Sequence, residues 1–202
     1  MSITAEQLRA GDSFENETFN GLDLTGVDLG NKELFACTFT NVKLPQSRWQ
    51  RTRLEDCVFD GCDLTRIAPA QLSLRGVELV RCKMLGIDWS ELAEFPVMSF
   101  LECNLSYCSF VSLSAQKISF KSCVLAEANF IDADLAKATF HACRLAGARF
   151  EKCNLERASF AGSHDLLLDP AKNRVKGARI PQESAILLAE SFGFTITNDA
   201  PG

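Results

Sequence analysis

The chain has 202 residues, 47% of them apolar and 23% charged, with a formal net charge of −5. That is enough for one domain with a sizeable core. It argues against a disordered chain and gives no reason to expect a basic nucleic-acid-binding patch. No apolar run approaches the roughly 18 residues of a membrane span. The opening MSITAEQLRAGDSF lacks the charged-then-apolar layout of a signal peptide, so the expected compartment is the cytoplasm and no membrane partner is expected.

Residues 1–11 precede any regular pattern and are expected to form an N-terminal cap. From Phe14 a large apolar residue returns every five positions: Phe19, Leu24, Leu29, Leu34, Phe39, Leu44, Trp49, Leu54, Phe59, Leu64, then Pro69, Leu74, Leu79, Met84 and Trp89. A second run starts at Phe95 and steps by five to Phe160, broken only by Ala115. A small or apolar residue usually stands two positions before each centre, and all nine cysteines fall there. A period of five fits neither the 3.6 of a helix nor the 2.0 of an ordinary strand. It implies two inward positions and three outward ones in every five residues.

Centres twenty residues apart are mostly alike. Phe19, Phe39, Phe59, Leu79, Phe100, Phe120, Phe140 and Phe160 make one column, and Cys62, Cys82, Cys103, Cys123 and Cys143 another. Both columns demand one inserted residue, expected as a bulge within residues 90–92. The cysteines are odd in number and contain no CxxC, which argues against a zinc ribbon or a fully paired disulfide framework. They are expected to pack as small hydrophobes, with no metal and no cofactor. In the slots of the first coils, polar Asp12, Glu17 and Lys32 predict a frayed or capped start.

The segments CNLSY (103–107), ANFID (128–132), ADLAK (133–137), CRLAG (143–147) and CNLER (153–157) closely resemble the A(D/N)LXX motif of the pentapeptide-repeat family. That resemblance, covering about residues 12–180, implies an all-β solenoid. Its form is a right-handed quadrilateral β-helix of about eight coils, twenty residues each, a rod roughly 40 Å long. An irregular segment at 161–174 interrupts it before the phase returns at Val175 and Ile180. Residues 181–202 then read as a short helix and tail. Pro181 suits a first turn, Ala185, Leu188, Ala189 and Phe192 share a face, Gly193 is a candidate C-cap, and Phe194 and Ile196 alternate like a short strand.

Leu168-Asp169-Pro170, the coil 175–180, Leu187-Leu188 and the Gly193-aromatic tail resemble the C-terminal module of the quinolone-resistance (Qnr) and mycobacterial fluoroquinolone-resistance pentapeptide proteins. CKMLGIDW (82–89), with Pro69 ahead of it, resembles the albicidin-resistance branch. The resemblance implies a homodimer through Leu187, Leu188, Phe192, Phe194 and Ile196. The plain alternative is a cap sealing the monomer; apolar residues on more than one face favour the dimer. It further implies a DNA mimic that binds DNA gyrase or topoisomerase IV and confers resistance or immunity to a quinolone- or albicidin-like poison, without binding nucleic acid directly. The alternative is a scaffold for another macromolecule.

No catalytic fingerprint occurs, and His141 and His164 are expected to be exposed, so no enzyme is expected. A duplex carries about one negative charge per 1.7 Å, hence roughly two dozen over this length, so mimicry at −5 has to be local. Residues 1–42 and 84–136 each hold seven acids against two bases, while 43–83 hold eight bases against five acids. Asp88, Glu102, Glu127, Asp132, Asp134, Glu151 and Glu156 are the candidate gyrase-facing acids. Qnr proteins often carry projecting loops, and the register here leaves room for one extra residue.

Overall fold

In the computed structural model, which describes residues 3–197, the chain winds as a four-sided β-solenoid in which residue i pairs in parallel with residue i+20. Face 1 begins with four paired strands, Ser13–Glu15, Glu33–Phe35, Arg53–Glu55 and Ser73–Arg75. Face 2 is a seven-stranded sheet: Thr18–Asn20, Thr38–Thr40, Val58–Asp60, Val77–Val80, Met98–Leu101, Ser119–Lys121 and Thr139–His141. Two further rungs, Thr139 with Ser159 and Ser159 with Arg179, extend it. Face 3 is a ladder of single bridges from Asp23 to His164, and face 4 joins Asp28, Arg48 and Ala68, then Asp88, Ser109 and Asn129.

The five-residue unit follows from its corners. In most units, the second residue after the centre has left-handed φ, whether glycine (Gly26, Gly61, Gly86) or not (Arg51, Arg66, Lys137, Arg157). Such a conformation costs an L-residue about 1–2 kcal/mol. Burying the Leu or Phe beside it gains about 1.5–3 kcal/mol, so the corner is tolerable wherever the centre is large and apolar. The Asp or Asn before the centre stabilises the same turn. Asp23 accepts from the Thr25 amide and hydroxyl, Asp28 from Gly30 N, Asp63 from Thr65 N, and Asn104 from the Ser106 amide and hydroxyl. This Asx turn is the physical reason for the D/N of the motif.

The core is one continuous stack. Phe19, Phe39 and Phe59 lie with ring centroids 4.5 Å apart, and Phe100, Phe120, Phe140 and Phe160 at 4.7–4.9 Å. Phe110, Phe130 and Phe150 form a second column at 4.6–4.7 Å, set edge-on to the first. These spacings are those of adjacent strands, about 4.8 Å, because register leaves each ring no other place. Leu79 interrupts the first column and Pro69 the fourth face. At that level an apolar cavity of about 20 Å³ opens between Trp49 and Trp89, bordered by Ile67, Leu79 and Met84. With no polar lining it stays dry.

The offset first shows at Glu91, whose carbonyl accepts from Gln71, twenty positions back, where Gln50 and Ala70 accept from nineteen. Leu92 N still closes a turn on the Trp89 carbonyl, as Leu72 does on Pro69, and Ala93 N donates to Leu72 as Ser73 does to Thr52. By Met98, which pairs with Val77, the shift is complete. The extra residue is therefore taken up across residues 91–97, with the old register still held at Leu92 and Ala93. There Phe95, expected inward, is 71% exposed at φ +56, and Pro96 is buried instead. Face 1 loses its bridges across this level, while faces 2, 3 and 4 continue through Val77–Met98, Lys83–Asn104 and Asp88–Ser109.

Both ends are closed by polar atoms. At the start, helix α1 (Ala5–Ala10) opens on a Thr4–Gln7 capping box and buries Leu8. Lys32 does not fray the first coil. It is only 4% exposed and its Nζ donates to the carbonyls of Arg9 (3.3 Å) and Gly11 (2.6 Å), tying the helix end to the coil. At the far end His164 still pairs with Arg144 and Arg174 with Asn154, so within 161–174 both ends hold register. Helix α2 (Gln182–Ser191) starts after N-cap Pro181. Gly193 (φ +87) donates to Glu190 and Phe194 to Ala189, a Schellman closure. Residues 194–197 form no strand, because that closure turns the chain out of extended pairing.

The two tryptophans differ in one partner. Trp49 Nε1 donates to Ser47 Oγ (2.9 Å), whereas Ile87 stands in the equivalent position before Trp89, whose Nε1 is buried without a partner. Removing an unpaired N–H relieves a penalty of about 1–3 kcal/mol, and removing a paired one strands the acceptor side. Trp89→Phe is therefore expected to cost less stability than Trp49→Phe by about 1–2 kcal/mol, read as the difference in urea unfolding midpoints.

Candidate interaction surfaces

The interior offers no chemistry to a ligand. All nine cysteines are free and buried. Each of these thiols donates to the carbonyl of the large residue 23 or 24 positions earlier. Cys62 donates to Phe39, Cys82 to Phe59, Cys103 to Leu79 and Cys123 to Phe100 at 3.3–3.6 Å. In the last coil Ser163 Oγ and Asn173 Nδ2 take over this role toward Phe140 and Phe150, both at 2.8 Å. Burial pushes the Cys108 thiol up to about 12 and also raises Cys153. Among the described residues no group of three or more His, Cys, Asp or Glu is placed to hold a metal. His141 is exposed, and His164 faces Glu183 of α2 at 3.5 Å.

What the molecule presents is its outer surface. Shallow grooves of about 300–320 Å³ lie along it, one lined by Phe14, Glu33, Phe35 and Arg53, another by Leu92, Phe95, Pro96 and Leu113. The aromatics Phe35, Phe95 and Tyr107 stand outward. Phe35 and Tyr107 come one and two residues after their centres, so the five-residue frame already marks them as outward. Phe95 was hidden because two apolar residues, Phe95 and Pro96, compete for one inward place.

Six of the seven candidate acids lie on or beside the adjacent faces 4 and 1, and Glu102 lies apart. Asp88 lies on face 4, Glu102 at the corner of faces 2 and 3, and Glu127 at the corner of faces 3 and 4. Asp132 and Glu151 lie near the corner of faces 4 and 1, and Asp134 and Glu156 on face 1. Several are already engaged. Asp134 accepts from Gln116 and Asn154, Glu156 pairs with Arg174 at 2.8 Å, and the Glu127 carboxylate lies over Gly147, where any Cβ would collide with it. Across neighbouring coils charges are matched: Asp28 with Arg48, Glu33 with Arg53, Asp60 with Arg81, and Asp63 with Lys83. Such exposed pairs contribute little stability, about 0–1 kcal/mol each. Their effect is to cancel charge along the faces.

At the C-terminus, Phe192 (59% exposed), Phe194 (65%), Leu187 and Ile196 stand in the open. Leu188 is half-buried against its own chain. Ser184, also inward, seats the helix.

The buried thiols set a pH dependence. A folded-state pKa of about 12 at Cys108, above the ordinary 9.0, means the folded chain holds its proton more tightly than the unfolded one. The associated stability is complete below pH 9 and is lost as pH rises from 9 through 12. Urea midpoints at pH 7.5 and 10.5 should show this fall, with a smaller fall in Cys108→Ala. The nine thiols should resist a thiol reagent in the native state and all react in denaturant; rapid native reaction would contradict the packed ladder.

Comparison with known proteins agrees with this architecture. The model for the pentapeptide repeat region matches residues 93–164, and that for pentapeptide repeats in eight copies matches 33–67. The chain is 26% identical over 131 residues to the quinolone resistance pentapeptide repeat protein QnrB96 of Scandinavium goeteborgense, covering 58% of this chain and 61% of that one. It is 24% identical over 117 residues to the pentapeptide repeat protein QnrB4 of Escherichia coli, covering 53% and 54%. The match thus spans less than two thirds of either relative. A trypsin-treated form of QnrB1, a plasmid-mediated fluoroquinolone resistance protein, superposes with a TM-score of 0.71 at 21% identity, covering 92% of this chain and 90% of that one. Full-length QnrB1 gives 0.54 at 23%, covering 96% and 95%. With matching repeat models, relatives and architecture, the chain belongs to the pentapeptide-repeat family and resembles its Qnr members.

Proposed function

We propose that this chain is a non-catalytic, cytoplasmic binding protein that occupies the DNA site of DNA gyrase or topoisomerase IV and confers resistance or immunity to a topoisomerase poison of the quinolone or albicidin kind. The observation carrying this reading is the likeness to QnrB96, a quinolone resistance protein, along a solenoid whose described interior is packed apolar side chains around one small dry cavity, leaving the exterior to meet a partner. DNA mimicry is then local, since matched charges cancel over the N-terminal faces. Residues 84–116, which hold four acids and no Lys or Arg, are the longest stretch able to present unopposed negative charge. The test is supercoiling by purified gyrase with increasing amounts of this protein, with and without drug. Inhibition, or relief of drug-induced cleavage, is expected at micromolar protein; neither effect would sink the reading.

The protein acts in this proposal as a homodimer joined through Leu187, Phe192, Phe194 and Ile196, with Leu188 seating the helix. A Phe this exposed on a closed helix end is supported by burial against a second copy. Phe194→Asp is expected to halve the sedimenting mass of the parent while leaving the circular dichroism unchanged; an unaltered mass would refute the joint.

A second reading, a scaffold for a different macromolecule, is favoured by one observation. Of the candidate acids on or beside faces 4 and 1, Asp134 and Glu156 are already engaged by side chains of this chain, whereas a DNA mimic needs its docking acids free. Absence of any effect on gyrase in the same assay selects it.

A further inference from the structure

The charge matching of the N-terminal coils gives way to stacked like charges at one corner. At the corner between faces 1 and 2, Lys117, Lys137 and Arg157 occupy the same position on three successive coils. Their amides donate in turn to the carbonyls of Ala136, Glu156 and Lys176, one coil further on. All three are exposed and all three have left-handed φ, of 62, 60 and 57 degrees. None pairs with a carboxylate among the described residues. Like charges stacked directly on one another are destabilising, and each left-handed Lys or Arg adds its own strain. The next residue of the column is Gly177, the unstrained choice.

Beside this row runs a second one. Ser119, Thr139 and Ser159 are in register on face 2 and half-exposed, and the row ends in exposed Arg179. Lys176 and Lys121 flank it, both exposed. The nearby acids are Asp134 and Glu156, already taken by Asn154 and Gln116 and by Arg174. Residues 137–180 hold nine bases against four acids, which the chain's overall −5 conceals.

We infer that this corner is a binding surface for the phosphodiester backbone of nucleic acid, with duplex DNA as the ligand. The row of cations climbs the rod at about 4.8 Å per coil. A DNA strand presents one permanent charge per about 3.4 Å of its axis, so three levels cover about three phosphates of one strand. Hydroxyls alongside the cations are the usual neutral donors to phosphate oxygens. The contact is independent of sequence and separate from the gyrase reading, because it needs no partner enzyme.

The test is fluorescence anisotropy of a labelled duplex about 30 base pairs long, titrated with the full chain between about 50 and 200 mM salt. Three phosphate contacts predict a slope of log K against log salt of about −3. The triple variant Lys117→Gln, Lys137→Gln, Arg157→Gln should weaken binding at least about tenfold at low salt and flatten that slope. A charge-matched control, Arg48→Gln, Arg53→Gln, Arg81→Gln, should bind like the parent. The ladder triple should also melt no lower than the parent at low salt, since like-charge repulsion is removed; if it fails to fold, Lys137→Gln alone carries the test, with the slope reduced by about one. No binding by the parent at the lowest salt, or equal loss in both triples, overturns the inference. Competition by poly-glutamate as effective as by DNA at equal charge also overturns it, and assigns the surface to an acidic protein.

Discussion

The structure depends on one constraint: residue i must pair with residue i+20. Because adjacent coils lie about 4.8 Å apart, the nearest neighbour of any side chain is the residue at its own position one coil away. Phe therefore stacks on Phe and Cys on Cys, and the thiol of one coil meets the carbonyl of another at a repeating 3.3–3.6 Å. Nothing inside the tube is free to vary independently. Where a smaller residue replaces the ring of a column, as at Pro69 and Leu79, it leaves a void that no neighbour can reach to fill, the cavity of about 20 Å³ at that level.

A constraint that propagates must also stop, and the polar residues of the interior mark where it does. Lys32 occupies an inward slot because the coil before it is incomplete. Its ammonium finds the carbonyls of α1 that no coil is present to pair. Ser163 and Asn173 occupy cysteine positions in the last full coil, where oxygen and nitrogen donors make shorter bonds than sulfur does. By composition these residues suggest fraying. By hydrogen-bond chemistry they are the devices that end a solenoid.

The same logic explains what was legible in the sequence. Inward positions obey a period, so the columns of Phe19 and Phe100, the cysteine ladder and the number of inserted residues can be counted from the residues alone. Where the period offers two apolar residues for one slot, Phe95 and Pro96, counting chooses the larger. The backbone chooses the other, because only then does Met98 meet Val77. The tail after Gly193 misleads for a related reason. Alternation in Phe194-Thr195-Ile196-Thr197 resembles a strand, but the Schellman bonds commit the chain to leaving the helix without a partner edge to join. The acids are different again. Their identities are plain, yet outward positions carry no period, so type alone does not group them. The arithmetic of twenty places six of the seven on or beside faces 4 and 1, and it aligns Lys117, Lys137 and Arg157.

This asymmetry between inside and outside bears on how function is written on such a rod. Only two positions in five are bound to the core, and those are bound to a class of side chain, small or large and apolar, not to an identity. A chain only 21% identical to QnrB1 can therefore superpose on it at a TM-score of 0.71. The other three positions are free to change without touching the fold, provided the corner residue accepts left-handed geometry. Along the N-terminal coils that freedom is used to alternate charge and cancel it. Where the pattern is broken, by an aromatic turned outward at residue 95 or by cations stacked at one corner, stability gives no reason for the choice. The folded core is indifferent to it, and that break is what singles out the corner of Lys117, Lys137 and Arg157 for the binding test.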